Sequence, residues 1–412
     1  MNFLATPIRR KFLFFSLYLS EGAPIGFIWL ALPTRLRAGG VEIVDITWLT
    51  AILVLPWTFK FMWAPLIDLL RGPSWTLRHW IVAAQLVMGV SLLPLIWLEP
   101  ISRFHVMAAL LFVHTFAAAT QDVAIDALCI SSTSVSERGQ YNGWMQAGML
   151  VGRAIMGGGA LVMARSIGDT AVIALLVLIT TFSILLVIVS RASDEVTEEP
   201  SGARRFREVW GSIKEACAHR NMWLGLSFAM TGGAAFKSLE VIYGPFLVDR
   251  GYDKAVIGWF SAGPMIIAMM VGSLVGGWLA DRAGHRISVM SALVYITLSI
   301  TGLAFSDLML GAGPHLLVLL AVTAFGIGLF TASSYALFMD ITRPAITATE
   351  FSAFMGATNG CEPWSSYAIG ALIKSQGYPF AMLAMCSASL VALPLLAKMK
   401  LGRKRTESSE WQ

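Results

Sequence analysis

The feature that most constrains this chain is a succession of long apolar segments separated by short polar stretches. A helix needs roughly 20 mainly apolar residues to cross the hydrocarbon core of a bilayer. Only 13% of the residues are charged, whereas soluble domains carry about 25% charged residues. So little charge cannot cover the surface of a water-soluble globule. The sequence therefore predicts an all-α membrane protein with lipid as its solvent.

Twelve of these segments are predicted to be transmembrane helices, in two groups of six. The first group lies near 12–32, 46–67, 79–97, 105–127, 141–163 and 170–190. The second group lies near 221–247, 256–279, 288–306, 315–338, 350–373 and 380–397. The predicted organisation is an N-terminal six-helix half at 1–190, a linker at 191–220, a C-terminal six-helix half at 221–397 and a basic tail at 398–412. The linker is too rich in charge to enter the bilayer, so we expect it on the membrane surface.

The Lys and Arg residues are distributed unequally between the two sets of loops. Most of them adjoin the N-terminus, the linker and the C-terminus. Short loops with an excess of Lys and Arg stay on the cytoplasmic side, so we expect both termini in the cytoplasm. These loops account for the net charge of +5, and no nucleic-acid partner is predicted. The apolar run after Arg9, Arg10 and Lys11 has no small-residue cleavage site, and we interpret it as a retained span.

The two halves carry similar polar segments after their second helix. Residues 277–286 read GWLADRAGHR after the eighth span, and residues 64–68 read APLID after the second span. A carboxylate at such a helix end can hold neighbouring helices through charge-assisted hydrogen bonds to arginines of the loop. The residues predicted to act in gating are Asp68, Asp281, Arg282 and Arg286.

Several of these segments resemble a known family of transporters. Residues 277–286 resemble the G-x-L-A-D-R-x-G-R-R signature of the major facilitator transporters, with His285 at one basic place. YLSEGAPIG at 18–26, LPWTFKFMWAPLID at 55–68 and ATQDVAIDA at 119–127 resemble the AmpG-like branch. That branch includes muropeptide permeases, acetyl-CoA transporters and ferric-siderophore permeases. With the six-plus-six layout, the resemblance covers essentially the whole chain.

The resemblance implies the major facilitator fold, in which two pseudo-symmetric six-helix halves move around a central cavity. It implies import of a small-molecule substrate across the bacterial inner membrane, driven by the proton gradient, by a monomer. No cofactor is predicted, and the four cysteines show neither metal-ligand nor disulfide spacing.

Ionisable side chains inside a span are costly, and they usually face a cavity or a partner. The eight in this chain are Glu21, Lys60, Asp122, Asp126, Arg153, Lys237, Glu240 and Glu362. The acids outnumber the bases, so one or two acids should be protonated in some states, as a proton-coupled carrier requires. Asp122 and Asp126 are four residues apart and share one helical face, which makes them the first candidates for the proton site. Glu21 and Glu362 are the further candidates. The alternative is that Asp122 and Asp126 bond to Lys60 or Arg153 only to hold helices together.

The remaining polar and aromatic side chains of the spans are candidates for substrate binding. The predicted binding residues are Arg153, Lys60, Lys237, Glu240, Gln121, Trp57 and Tyr243. The cations would meet negative charge on the substrate, and the aromatic rings would stack on sugar or aryl groups. Alternatively, Lys60 extends to the interface, Lys237 neutralises Glu240, and the aromatic residues only pack or anchor. Alignment of the two halves places Arg153 beside Glu362, and we predict that they pair across the cavity in one state.

Three functions remain open from the sequence. The first is a proton-coupled importer of a bulky anionic solute, either a muropeptide-like sugar-peptide or a ferric siderophore. The second is a proton-driven exporter of drugs or metabolites on the same fold. The third, a membrane enzyme or scaffold, is disfavoured because no nucleotide-binding or hydrolase motif occurs in a supporting context. The chain is therefore predicted to be a transporter and not an enzyme.

Overall fold

The computed structural model describes residues 4, 6–70, 75–133, 138–190, 219–341 and 347–399. All regular secondary structure within these ranges is helical. The linker predicted at 191–220 lies outside the described residues except for its last two positions, and the basic tail lies outside except for 398 and 399. These two divisions of the chain stay predictions.

We label the spans α1–α12 in chain order. In the first half they are α1 (Pro7–Ala38), α2 (Ile43–Met62), α3 (Leu77–Ile96), α4 (Phe104–Ser132), α5 (Arg138–Met156, continued by the first part of Gly158–Val189) and α6 (the rest of Gly158–Val189, after a kink at Gly168). In the second half they are α7 (Arg220–Gly232 and Ala234–Asp249), α8 (Lys254–Ala262 and Pro264–Ala283), α9 (His285–Leu310), α10 (His315–Ile341), α11 (Thr347–Gln376) and α12 (Tyr378–Leu390 and Ala392–Lys398). A short helix, Ala64–Leu69, follows α2.

Nine helices among the described residues are long and apolar enough to cross a membrane. One of them, Trp144–Val189, contains two spans, because its backbone turns at Gly168 with φ +80°. The other two spans are α7, which is interrupted at Gly233, and α11, which carries Glu362 and Lys374. The twelve predicted spans are therefore all present. Most extend a few residues beyond their predicted bounds, since the helices continue past the apolar core.

The helix α1 changes its geometry in its distal part. Pro24 lacks a backbone N–H and cannot complete the regular ladder, and a π-helical turn follows at Phe27–Ala31. A π turn contains an extra residue, so it rotates the side chains that follow it relative to a regular α-helix. Trp29 lies within this turn.

Close backbone contact joins α1 to α5 inside the first half. A Cβ atom added to Gly152 would stand 2.4 Å from the carbonyl oxygen of Leu19 and 2.7 Å from the amide nitrogen of Ala23. Gly148 approaches Phe15 in the same way. Small residues at such positions let two membrane helices pack backbone to backbone, where dispersion and weak hydrogen bonds replace the hydrophobic effect.

The two halves meet along three helix pairs, α1 with α7, α2 with α11 and α5 with α8. A glycine allows the approach in each pair, and these are Gly244 against Thr34, Gly370 against Thr47, and Gly158 against the backbone of Gly258. All of these residues lie toward the end of the bundle opposite to Pro7 and Lys398, which we call the distal end. The closest of these described contacts between the halves therefore lie toward the distal end, whereas α2 and α11 also meet nearer the opposite end, at Thr58 and Gly360.

Substituting Gly152 by alanine tests the α1–α5 contact. We expect Gly152→Ala to lower the free energy of unfolding by about 1–3 kcal/mol, because the added methyl group would overlap the α1 backbone. The matched control is Gly277→Ala in α8, where nothing lies within 4 Å of the added atom. That control should be neutral or slightly stabilising, since alanine favours the helix. Thermal unfolding of the purified proteins in detergent measures both, and equal stabilities would contradict the close contact.

Candidate functional site

A charged cluster lies inside the first half and joins α1, α2 and α4. The Lys60 ammonium is 2.5 Å from a carboxylate oxygen of Asp122. The Tyr18 hydroxyl is 2.8 Å from Asp126 and 3.1 Å from Asp122, so it can donate to either carboxylate. Glu21 is buried close enough to interact electrostatically with Lys60 and both aspartates. Three carboxyl groups therefore share one lysine, and we call this set of five residues the N-cluster.

Two side chains of the N-cluster are not fully enclosed by the protein. The side chain of Lys60 is 30% exposed and that of Asp122 is 12% exposed, although both lie within the spans. One carboxylate oxygen of Glu21 has no hydrogen-bond partner in the part of the chain that the structure describes. Three ionised carboxylates near one ammonium would leave uncompensated negative charge in a poorly hydrated place. Uptake of a proton by the cluster relieves that imbalance.

A second charged cluster lies at the interface between the halves. Lys237 of α7 is 3.0 Å from Glu362 of α11 and 4.0 Å from Glu240. The indole N–H of Trp29, which belongs to α1, donates to the other carboxylate oxygen of Glu362. Arg153 of α5 is near enough to interact electrostatically with Glu240. We call these five residues the C-cluster, although Trp29 and Arg153 come from the first half.

A pair of tryptophans connects the two clusters. The rings of Trp29 and Trp57 are in edge-to-face contact, with centroids 5.9 Å apart. Trp57 in turn lies within hydrogen-bonding reach of Glu21. A continuous path of contacts thus runs from Glu21 of the N-cluster through Trp57 and Trp29 to Glu362 of the C-cluster.

The structure brings most of the predicted site residues into these two clusters. Lys60, for which extension to the interface was the alternative, bonds to Asp122 instead. Arg153 does not pair with Glu362 in this structure, where Lys237 and Trp29 occupy both oxygens of that carboxylate. The predicted pairing therefore stays a prediction for another state. Lys237 lies closer to Glu362 than to Glu240, so neutralising Glu240 is not its main contact.

Two predicted binding residues, Gln121 and Tyr243, lie outside the two clusters. Gln121 is fully buried next to Asp122 in sequence, and neither atom of its amide has a partner among the described residues. Tyr243 is buried within reach of Ser261. The roles of both in binding stay predictions.

The residues predicted to act in gating are only partly described. The side chains of Asp68 and Asp281 lie outside the described side chains. The Arg282 guanidinium stands over the Trp278 ring at 5.3 Å, and Arg286 donates to the backbone oxygen of Met399. Both contacts lie within the second half, so the gating role stays a prediction.

Sequence reasoning missed a network of ion pairs that joins the halves at the distal end. Arg37 of α1 is 2.6 Å from Asp249 of α7, and Asp249 also accepts a hydrogen bond of 2.8 Å from Tyr378. Glu42 is 2.8 Å from Lys374 of α11. In a sequence these side chains look like ordinary solvated loop charges, since nothing local shows which helix ends meet.

The distal network also includes a looser pair between Arg165 and Asp253, whose charged atoms are 4.0 Å apart. The hydrogen bond from Lys374 lowers the pKa of the exposed Glu42 carboxyl, so this pair weakens as the pH falls through that lowered value. Within the described ranges, three ion pairs therefore cross between the halves at the distal end, and the structure represents a state that is closed there.

Comparison with known proteins identifies relatives across nearly the full chain. The family model of the Major Facilitator Superfamily matches residues 12–357 and 233–410. AmpG 4 of Rickettsia conorii is 24% identical over 388 residues, which cover 90% of this chain and 91% of that protein. The anhydromuropeptide permease of Escherichia coli strain K12 is 25% identical over 349 residues, which cover 82% of this chain and 70% of that protein.

Solved structures of transporters share the fold. The nucleoside transporter NupG superimposes with a TM-score of 0.73 at 13% identity, covering 97% of this chain and 99% of that one. A D-xylose-proton symporter superimposes with a TM-score of 0.77 at 9% identity, covering 94% and 97%. These likenesses confirm the predicted fold of two six-helix halves. Together with the relatives, they confirm a multi-pass membrane transporter of the AmpG-like branch and not an enzyme.

Neutralising Asp249 tests whether the distal network keeps the halves together. We expect Asp249→Asn to raise the population of distally open molecules about fivefold, because a partly exposed ion pair contributes about 1 kcal/mol. Spin labels on cysteines at Ser166 and Lys254, which stand on opposite sides of the Arg165–Asp253 pair, report the distance between the halves.

The matched control for this experiment is Asp169→Asn. Asp169 bonds to Arg35 at 2.7 Å, but both residues belong to the first half. That variant should keep the original distance distribution. A similar shift in both variants would mean that the Arg37–Asp249 pair does not hold the halves together.

Proposed function

The chain belongs to the major facilitator superfamily, and from that premise we propose that it is a proton-coupled importer of bulky, anionic sugar-peptides of the muropeptide type. The membrane is the bacterial inner membrane, with both termini in the cytoplasm. The distal end then faces the periplasm. The kinship with the E. coli anhydromuropeptide permease supports this substrate class.

The observation that carries the proposal is the presence of one partly exposed lysine in each cluster. Lys60 is 30% exposed and Lys237 is 20% exposed, and each is held by a carboxylate of a neighbouring helix. A cation balanced by an internal carboxylate is a site where a carboxylate of the substrate can take the place of the internal one. Two such cations in separate clusters fit a solute with several carboxylates, as a sugar-peptide has.

Proton coupling follows from competition for Lys60. While Asp122 is ionised, it occupies the ammonium and excludes a substrate carboxylate. When Asp122 takes up a proton, the ammonium loses its internal partner and binds the anionic substrate more tightly. Binding of the proton and binding of the substrate then favour each other by the same factor, because coupling between two sites is reciprocal. A carrier with this property moves the two together.

The distal ion pairs provide the matching conformational step. In the state seen here, periplasmic solute is excluded by the contacts of Arg37 with Asp249 and of Glu42 with Lys374. Loading from the periplasm requires these contacts to separate. The return to the closed arrangement then encloses the solute or releases it to the cytoplasm.

Uptake into whole cells tests the proposed substrate and direction. We expect cells that express the chain to accumulate labelled anhydro-muropeptide, and we expect a protonophore to abolish the accumulation. Ferric siderophores are offered in parallel. Uptake of a siderophore alone would mean that the proposed substrate class is wrong and that the proposed direction, import, is right. Uptake of neither, with the protein present in the membrane, would favour the exporter, which efflux from preloaded cells would then reveal.

Replacing both aspartates of the N-cluster tests the coupling. In the Asp122→Asn, Asp126→Asn double variant, we expect proton-driven accumulation to fall at least about tenfold. That factor corresponds to a loss of about 1.4 kcal/mol of the free energy that couples proton binding to substrate accumulation. Exchange of labelled for unlabelled substrate at equal pH should persist. Asp169→Asn is the control and should behave like the original chain. Unchanged sensitivity of the double variant to the protonophore would exclude the pair as the coupling site.

A further inference from the structure

Glu362 is the point at which hydrogen bonds from both halves meet on one carboxylate. One of its oxygens accepts from the indole of Trp29, which belongs to α1 of the first half. The other accepts from Lys237 of α7, in the second half, at 3.0 Å. We propose that Trp29 is a positioning residue through which the protonation state of Glu362 controls the contact between the two halves. This role rests on the proposed proton coupling and adds to it a second, spatially separate step.

The two hydrogen bonds on Glu362 suit a carboxylate better than a neutral carboxyl group. A carboxylate accepts on both oxygens, whereas a protonated carboxyl carries an O–H donor and is a weaker acceptor. Both donors on Glu362 lack any acceptor capacity, since an indole N–H and an ammonium can only donate. A proton on either oxygen of Glu362 would therefore weaken the bonds that it accepts from Trp29 and Lys237.

The charged groups around Glu362 determine which other partners Trp29 and Lys237 have when the carboxyl group is protonated. Lys237 has a second acid, Glu240, at 4.0 Å on its own helix, and it also interacts with Tyr335 of α10. Arg153 of α5 faces Glu240. On the same helix as Glu362, Cys361 precedes it and is buried. Trp29 and Lys237 are thus the donors that face the carboxylate.

Lys237 keeps an ionic partner when Glu362 is protonated, and Trp29 does not. The ammonium can turn to Glu240, which is 4.0 Å away on its own helix. The indole of Trp29 makes no other hydrogen bond in the described part of the chain, and its second contact is the ring of Trp57. Protonation therefore weakens the Trp29 bond without a compensating partner, and this bond is the one that crosses between the halves.

The position of Trp29 in α1 makes this bond relevant to the distal closure. Trp29 lies in the π turn at Phe27–Ala31, five residues before Thr34, which packs against Gly244 of α7. π turns are frequent at functional sites because they redirect side chains. Without the Trp29–Glu362 bond, this segment of α1 is held to the second half by apolar packing against α7, which includes the contact at Gly244, and by the Arg37–Asp249 pair.

Distance measurements on the full chain test the proposal without any substrate. The distance between spin labels at Ser166 and Lys254 is measured from acidic to alkaline pH in the original chain and in Trp29→Phe. This substitution keeps an aromatic ring and removes the hydrogen-bond donor. The original chain should open distally as the pH falls. The variant should already be open at neutral pH, with at least about a tenfold larger open population, because a hydrogen bond to a charged group is lost.

The matched control removes the same chemical group two residues from Glu362. The indole of Trp364 donates to the backbone oxygen of Met230 at 3.0 Å, a bond that stays within the second half. Trp364→Phe should keep the original distances and the original pH dependence. Identical behaviour of Trp29→Phe and Trp364→Phe would overturn the proposal.

A second variant shows whether Trp29 acts through Glu362. In Glu362→Gln the side chain is neutral and has a donor and an acceptor, so we expect the larger open population predicted for Trp29→Phe and a weaker dependence on pH than in the original chain. Adding Trp29→Phe to Glu362→Gln should change nothing further. Fully additive effects of the two substitutions would refute the link. Failure of muropeptide uptake leaves these distances unaffected, so the two proposals fail separately.

Discussion

The structure depends on one constraint, which is that every charge placed inside the bilayer must find a partner or water. An unpaired ion at that depth costs several kcal/mol, and the chain carries eight ionisable groups in its spans. It meets the constraint by grouping acids of one helix with a lysine of another. The Lys60–Asp122 and Lys237–Glu362 pairs therefore fix how the helices of each half are arranged. The same pairs remain partly exposed, and in the proposed mechanism the substrate replaces the interactions that hold the helices.

The contact between the halves follows a different rule from the packing within them. Inside the first half, glycines bring the backbones of α1 and α5 together along much of their length. Between the halves, the ion pairs and the closest glycine contacts among the described residues lie toward the distal end. Exposed ion pairs contribute little each, and they can be broken and remade without disturbing a core. A transporter needs two arrangements of its halves that are similar in free energy. An interface made of small residues and solvated charges is suited to this, because its contacts can be broken and remade.

Much of the architecture could be predicted from the sequence, because it depends on composition along the chain. The lack of charge and the lengths of the apolar runs define the spans, and the spacing of Asp122 and Asp126 places both on one face of α4. The sequence predicts Lys60 as an alternative partner of these aspartates, and Lys60 does bond to Asp122, but Tyr18 could not be foreseen, since partners depend on which helices are neighbours. Arg153 aligned with Glu362 by symmetry, yet Lys237 occupies that acid here. The contact of Trp29 with Glu362 could not be predicted either, because a π turn that redirects a side chain has no signature in composition.

In the proposed mechanism the two clusters have different roles in coupling, and the order of events follows from their connections. Lys60 and Asp122 are the groups that a solute can reach, so the N-cluster is where proton and substrate depend on each other. Glu362 bonds to both halves, so the C-cluster is where a proton alters their contact. A proton that only reached the N-cluster would change the affinity for the substrate without opening the distal contact between the halves. A proton that only reached Glu362 would open that contact without preparing the N-cluster to bind the substrate. Coupled transport requires both, and the contact of Trp57 with Trp29 gives the two clusters a direct physical connection.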